Sequence, residues 1–165
     1  MSDIHISLRP FEERDAEAII DLLLDEQVKK CYMIPDFPTR QAARPLFDRM
    51  AQLSREESRF VRVICLDGNA IGILNDVDMD GQAVEVGYAL LPQHWGRGYA
   101  TEALTQAMRQ LFDRGFETVK AAAFEQNPAS LRVMEKAGMT PTGQTEQVAY
   151  RGVDHRCICY EKNKN

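Results

Sequence analysis

A chain of 165 residues with 44% hydrophobic and 27% charged residues has the composition of one ordinary globular domain, residues 1–165. Its 10 glycines and 7 prolines are neither abundant nor periodic, which excludes collagen-like, low-complexity and disordered chains. A net charge of −5 argues against phosphate-backbone binding as the main task, and no apolar run is long enough to span a bilayer. The start, Met1 to His5, has neither a basic n-region nor an apolar h-region. The expectation is a soluble, cytoplasmic protein with no nucleic-acid or membrane partner.

Ile4 to Arg9 alternates apolar and polar residues and stops at Pro10, which predicts a strand. From Asp15 the period becomes helical through Ala16, Ile19, Ile20 and Leu23, and the pattern predicts one helix to about Lys30. Cys31 to Pro38 is a loop, since Pro35 and Pro38 break helix and sheet alike. Its Tyr32, Met33, Ile34 and Phe37 are apolar for a loop; they either fold back onto the core or wall a pocket. Thr39 predicts the N-cap of a second helix with Ala42, Ala43, Leu46, Phe47 and Met50 on one side, and Pro45 predicts a kink or break in it.

Phe60 to Leu66 and Ala70 to Leu74 read as strands joined by the turn Asp67-Gly68-Asn69. Asp76 to Gly81 reads as a second, acidic hairpin turn; it lacks the downstream glutamate of a calcium loop. Ala83 to Leu91 is a third strand closed by Pro92, which makes the middle of the chain an antiparallel meander. Gln93 to Tyr99 then opens a helix carrying Ala100, Ala103, Leu104, Ala107, Met108, Leu111 and Phe112, ended by Gly115. Thr118 to Phe124 is a strand, and Asn127-Pro128 starts a helix with Leu131, Met134 and Ala137 inward and Gly138 as its stop. Two late strands, about Gln144 to Tyr150 and Val153 to Tyr160, are joined by Arg151-Gly152. The order predicts a mixed α+β domain with one β-α-β unit behind the meander.

Of the cysteines at 31, 65, 157 and 159, only Cys157 and Cys159 are close, with His155 before them. In a strand these three share a face about 6.6 Å apart, too far for a common tetrahedral zinc or a mutual disulfide. They read as half-buried strand residues, and no metal is expected.

The segment that carries chemistry is Trp95-Gly96-Arg97-Gly98-Tyr99-Ala100, between a strand that ends at Pro92 and an amphipathic helix. Glycines there let backbone approach a ligand, and the helix start offers unpaired amides and a positive dipole end, an anion site suited to a pyrophosphate. Arg97 adds a full charge. A Walker A loop is excluded because no Gly-Lys-Ser/Thr ending follows. A dinucleotide fingerprint is only partly matched by Gly96-x-Gly98-x-x-Thr101, with Glu125 near the place of a ribose acid.

Four stretches together, Val84 to Tyr88, Leu90-Leu91-Pro92, Trp95 to Ala103, and Asn127-Pro128-Ala129-Ser130 through Glu135 to Met139, resemble the GNAT superfamily of acetyl-CoA-dependent N-acetyltransferases. The branch they most resemble is the RimJ/RimL type, which acetylates ribosomal-protein N-termini. Leu8-Arg9-Pro10, Tyr150-Arg151-Gly152 and Tyr160 extend the likeness over nearly the whole chain. The resemblance implies a mostly antiparallel central sheet flanked by about four helices, and acetyl-CoA as co-substrate. It implies that the stretch from Leu90 and Leu91 through Trp95, Gly96, Arg97, Gly98, Tyr99, Ala100 and Thr101 binds CoA, its pyrophosphate on the backbone from Trp95 onward. In the pyrophosphate motif, the register set by Pro92 puts Trp95 in the Gln/Arg place, with Gly98 and Ala100 in the small places. Leu90 would pair with pantetheine and offer its amide to the thioester oxygen, while Asn127 and Ser130 touch the pantetheine arm.

Amine acetylation needs a proton acceptor, an oxyanion donor and, at the leaving thiolate, an acid. Glu85 is the candidate base, directly or through water, against a reading as an ordinary solvent-facing or salt-bridged strand residue. The tyrosine acid of many relatives is replaced by Met134, which cannot donate a proton, and the resemblance gives that role to Ser130; its alternative is ordering the cofactor or capping the helix. Tyr88, Tyr150 and His155 are reserves. Two functions follow: transfer of acetyl to a peptide N-terminus or small amine, or a CoA-binding or partner-binding domain without turnover. Both substrates would have to bind within this fold or at a homodimer interface, the acceptor between the Tyr32 to Phe37 loop, the early helices and the late hairpin.

Overall fold

The computed structural model describes residues 5–165; Ile4, the expected first residue of the opening strand, lies outside them. Seven strands form one sheet in the order β1-β2-β3-β4-β5-β7-β6: β1 (Ile6–Arg9), β2 (Val61–Leu66), β3 (Asn69–Asp80), β4 (Ala83–Leu90), β5 (Thr118–Phe124), β6 (Thr140–Tyr150) and β7 (Val153–Asn163). Every pairing is antiparallel except β4 with β5, as the β-α-β unit requires. The helices are α1 (Ala16–Leu24), α2 (Glu26–Lys29), α3 (Arg40–Leu53), α4 (Tyr99–Asp113) and α5 (Pro128–Lys136).

Apolar residues alternate along the strands and build a core on each face of the sheet. Val84, Val86 and Leu90 of β4 pack with Ala103, Leu104, Met108 and Leu111 of α4 and Met134 of α5. Ala89 and Leu91 belong to the opposite core, with Ile19, Leu22 and Leu23 of α1 and Phe47 of α3.

Three expectations are corrected. The single helix from Asp15 to Lys30 is broken, because Asp25 is extended and its carboxylate caps the amides of Gln27 and Val28, which starts α2 afresh. Pro45 does not divide the second helix: α3 runs on through it, and the carbonyl left without a partner, that of exposed Gln41 in the first turn, is open to water. Asp76 to Asp80 is not turn but the end of β3, which bulges between Asp76 and Asp78 and turns only at Gly81. Asp76 is 4% exposed and takes the Phe60 amide at 2.7 Å and the Arg59 guanidinium at 2.6 Å. Asp76→Ala strands that guanidinium and amide, and a loss of about 3 kcal/mol in unfolding free energy is expected by urea denaturation.

The bulge lies beside the point where β4 leaves β5. Parallel pairing covers only Ala83–Thr118, Val84–Val119 and Glu85–Lys120, whereas β5 stays paired to β7 as far as Phe124–Cys157. A bulge bends and twists its strand, and beyond Glu85 strand β4 diverges from β5 while following β3. The Val86–Leu90 edge therefore faces a gap, and the gap is the site.

Candidate active site in the gap between β4 and β5

A cavity of about 580 Å³ opens at this gap, bounded by β4 at Tyr88 to Leu90, the loop and first turn of α4, the first turns of α5, and Val28, Cys31 and Tyr32. The strand edge supplies donors. The Leu91 amide donates to the Ile71 carbonyl at 2.9 Å, so by the alternation of an antiparallel ladder the polar backbone groups of Leu90 and Tyr88 turn the other way, into the gap. The Leu90 carbonyl accepts the Trp95 indole N–H at 2.8 Å. Of Leu90, it is thus the N–H that remains for a ligand.

The anion cradle follows from local conformation. After Pro92, a 3-10 turn uses the His94 and Trp95 amides on Leu91 and Pro92 carbonyls. Gly96 and Gly98 then adopt φ of 74° and 83°, left-handed values that side-chain-bearing residues resist, and α4 begins at Tyr99 with no side chain capping it. Within α4 the first pairing is Glu102 N–H to Gly98 carbonyl, at 3.1 Å. The amides of Tyr99, Ala100 and Thr101 precede it, and all three residues line the cavity.

The second wall is α5. Asn127 accepts the Ser130 amide at 3.3 Å, the cap expected from Asn127-Pro128, and sets Ser130 in the cavity. One turn apart, Arg132 and Lys136 also line the cavity. They supply the positive charge that an acidic chain needs at an anion site. Their i, i+4 spacing was present in the sequence, but it gave no sign of which way they face. His94, another lining residue missed, has its pKa lowered by burial and by Arg97, which disfavours its charged form.

Most of the expected residues meet here: Leu90, Trp95, Gly96, Gly98, Tyr99, Ala100, Thr101, Asn127 and Ser130 all line the cavity. Three do not. Leu91 is buried in the opposite core with its amide consumed, and Arg97 is exposed on the loop outside the cavity wall. Glu85 sits where β4 is still paired, with Lys120 beside it, about 16 Å along the strand from Leu90. Its side chain is on the face opposite to that of Leu90, as the odd spacing dictates. Burial first, then the carboxylates of Glu146 and Asp78, raise its pKa against the pull of Lys120. Met134 is fully buried in the core, so the helix contributes no acid there.

The loop Cys31 to Pro38 does both things its composition allowed. Ile34 is buried in the core, while Cys31 and Tyr32 wall the cavity, Tyr32 hydrogen-bonding Asn75 at 2.6 Å. The late hairpin closes on it: Tyr150 hydroxyl accepts the Ile34 amide and faces the Tyr32 carbonyl, each at 3.2 Å. Arg151 reaches Glu26 and Asp36, and buried Lys29 reaches Asp36 at 3.2 Å. His155 is stacked on Phe124, 4.3 Å between ring centres. Among the described residues no group of His, Cys, Asp and Glu is placed to hold a metal ion, and no helix is long and apolar enough to cross a membrane.

A gap in a sheet with free strand amides, facing an uncapped helix start, is built for a ligand that joins an extended amide-bearing arm to a phosphate group. The family comparison agrees: residues 5–140 match the acetyltransferase (GNAT) domain, and the chain belongs to that family of acetyl-CoA-dependent N-acetyltransferases. An uncharacterized N-acetyltransferase of Bacillus subtilis (strain 168), YoaA, is 25% identical over 150 residues, 87% of this chain and 84% of the relative. The fold is shared with the Salmonella typhimurium acetyltransferase that modifies the N-terminal serine of ribosomal protein L7/L12 (19% identity, TM-score 0.82, 97% of this chain and 95% of that one). It is shared equally with a Vibrio cholerae spermidine N-acetyltransferase bound to CoA and spermine (16% identity, TM-score 0.80, 96% and 95%).

Proposed function

We propose that the chain transfers acetyl directly from acetyl-CoA to a primary amine, either the α-amine of a peptide or a small amine, that enters from the side of α2 and the Cys31 to Pro38 loop. The observation that carries this reading is the continuity of one cavity from the α4 amides, along the free β4 edge, to Val28, Cys31 and Tyr32. CoA and the acceptor would meet in it from opposite ends. The two neighbours in fold act on a ribosomal-protein N-terminus and on spermidine, which supports an amine acceptor and leaves its class to experiment.

When bound, acetyl-CoA supplies an acetyl group activated as a thioester. Tyr99, Ala100 and Thr101 amides hold pyrophosphate, and Arg132 and Lys136 add charge. The Leu90 amide stabilises negative charge on the acetyl oxygen. Ser130 donates to the leaving sulphur. Glu85 is too distant to touch the amine and serves as base only through a chain of water; burial and the neighbouring carboxylates raise its pKa, which makes it the better proton acceptor. Positioning of the two substrates supplies much of the rate.

Thiol release from acetyl-CoA, measured against N-terminal peptides, polyamines, amino acids and aminoglycosides, tests the reading. Turnover of at least one class is expected. Tight CoA binding with no turnover on any would favour a CoA-binding domain that has lost catalysis, a reading motivated by Met134 in the acid's place and by the remoteness of Glu85.

A further inference from the structure

The cavity contains one contact that the assignments above leave unused. Tyr88 hydroxyl lies 2.8 Å from Ser130 Oγ and 3.2 Å from the Ser130 carbonyl oxygen. Tyr88 comes from the free edge of β4, two residues from Leu90, and Ser130 from the first turn of α5, so this pair bridges the two walls of the gap. Asn127 fixes the serine's backbone from the other side. Burial pushes the Tyr88 phenol up to about 12 against the opposing pull of the Ser130 bond, and it stays a protonated donor throughout the neutral range.

A serine hydroxyl has a single hydrogen. The phenol has one as well, and two acceptors compete for it, Ser130 Oγ at 2.8 Å and the Ser130 carbonyl at 3.2 Å; given to the nearer Oγ, it leaves the serine's own hydrogen free for a ligand. Building on the assignment of this cavity to acetyl-CoA, we propose that Tyr88 is a positioning residue whose phenol donates to Ser130 Oγ and turns the serine's own hydrogen toward the leaving sulphur. The phenol that many GNAT enzymes carry on the helix is thereby replaced by one reaching the same helix from the strand. In the transfer the C–N bond forms, the C–S bond breaks and sulphur keeps the bonding pair. The proton lost by the amine reaches sulphur through solvent, while Tyr88 and Ser130 lend hydrogen bonds and end with the protons they began with.

The direct readout is the thiol pKa of CoA bound to the full chain, followed by the ultraviolet absorbance of the thiolate. In the wild type a value about one unit below that of free CoA is expected, since a hydrogen bond to a charged acceptor is worth that much. Tyr88→Phe and Ser130→Ala should each return it to the free value, the double variant should add nothing further, and Ser130→Thr should retain the depression. Desulfo-CoA, which lacks the sulphur, should lose no more affinity on Tyr88→Phe than CoA itself does. With an acceptor turned over by the wild type, Tyr88→Phe should lower kcat roughly tenfold at unchanged KM for acetyl-CoA. A bound-thiol pKa in Tyr88→Phe equal to that of the wild type overturns the proposal, as does a change in KM alone. Failure of the wild type to bind CoA at all overturns the assignment of the cavity instead, and is recognised by the absence of any thiolate signal from a complex.

Discussion

Gly98→Glu is expected to abolish CoA binding, with a loss of affinity of more than about a hundredfold, while the domain still folds. Gly98 lines the cavity immediately before the free amides of α4 and is left-handed, at φ 83°. A Cβ built there meets nothing within 4 Å, so the first side-chain atom displaces no neighbour. The damage has two parts. Any side chain strains the left-handed backbone that aims the amides, a cost of roughly 1–3 kcal/mol. A carboxylate then stands where phosphate oxygens must approach, in the positive field of a helix start. Gly98→Ala carries the first cost without the second and separates them: its CoA affinity should fall by about tenfold. Isothermal titration with CoA measures both, and circular dichroism checks the fold. Unchanged affinity in Gly98→Glu would falsify the placement of the pyrophosphate.

Reversing the charge of Arg132 and Lys136 together should weaken CoA by roughly a hundredfold at low ionic strength, and by less as salt is added. The two stand one turn apart on α5 along the cavity, across from the α4 amides. The amides and helix dipole serve the pyrophosphate in the proposed placement, whereas CoA also carries a 3′-phosphate. Dephospho-CoA, which lacks it, should therefore bind the wild type more weakly than CoA does and should lose less on Arg132→Glu with Lys136→Glu. Equal losses for the two ligands would mean that the pair contributes a general positive field and reads no particular phosphate. At saturating acetyl-CoA kcat should change little, since the charges are proposed to act on phosphate and not on the acetyl group that is transferred.

How far the site could be read in advance differed from residue to residue for physical reasons. Asn127 announced its own role: an Asn followed by proline at a helix start has one favoured arrangement, and the cap to Ser130 is there. Gly98 was legible in the same way, because Pro92 and the helical period beyond it bracket where α4 can begin. Glu85 was not. A glutamate on the right strand looks well placed until register and splay are known, and only the end of β4–β5 pairing at Glu85 itself shows that the gap opens beyond it. Arg97 likewise looked essential by charge, yet it is exposed beside the cavity, and the charge inside comes from α5, some 35 residues later in the sequence. Tyr88 and Ser130 are 42 positions apart, and no spacing rule joins them.

The amino-acid sequence by itself determined most of the elements, their order and the family: local signals such as caps, left-handed glycines, prolines and apolar periods act within a few residues of where they are written. It also marked the start of α4 as the place an anion would take, because a helix start makes its own amides available. The tertiary structure alone decided which strands part company, which face each charged residue takes and which hydroxyls meet. These depend on the β3 bulge, on the twist it imposes and on packing between segments distant in the chain. The cradle was therefore legible in one dimension, while the gap where β4 and α5 face each other across the proposed CoA path took shape only in three.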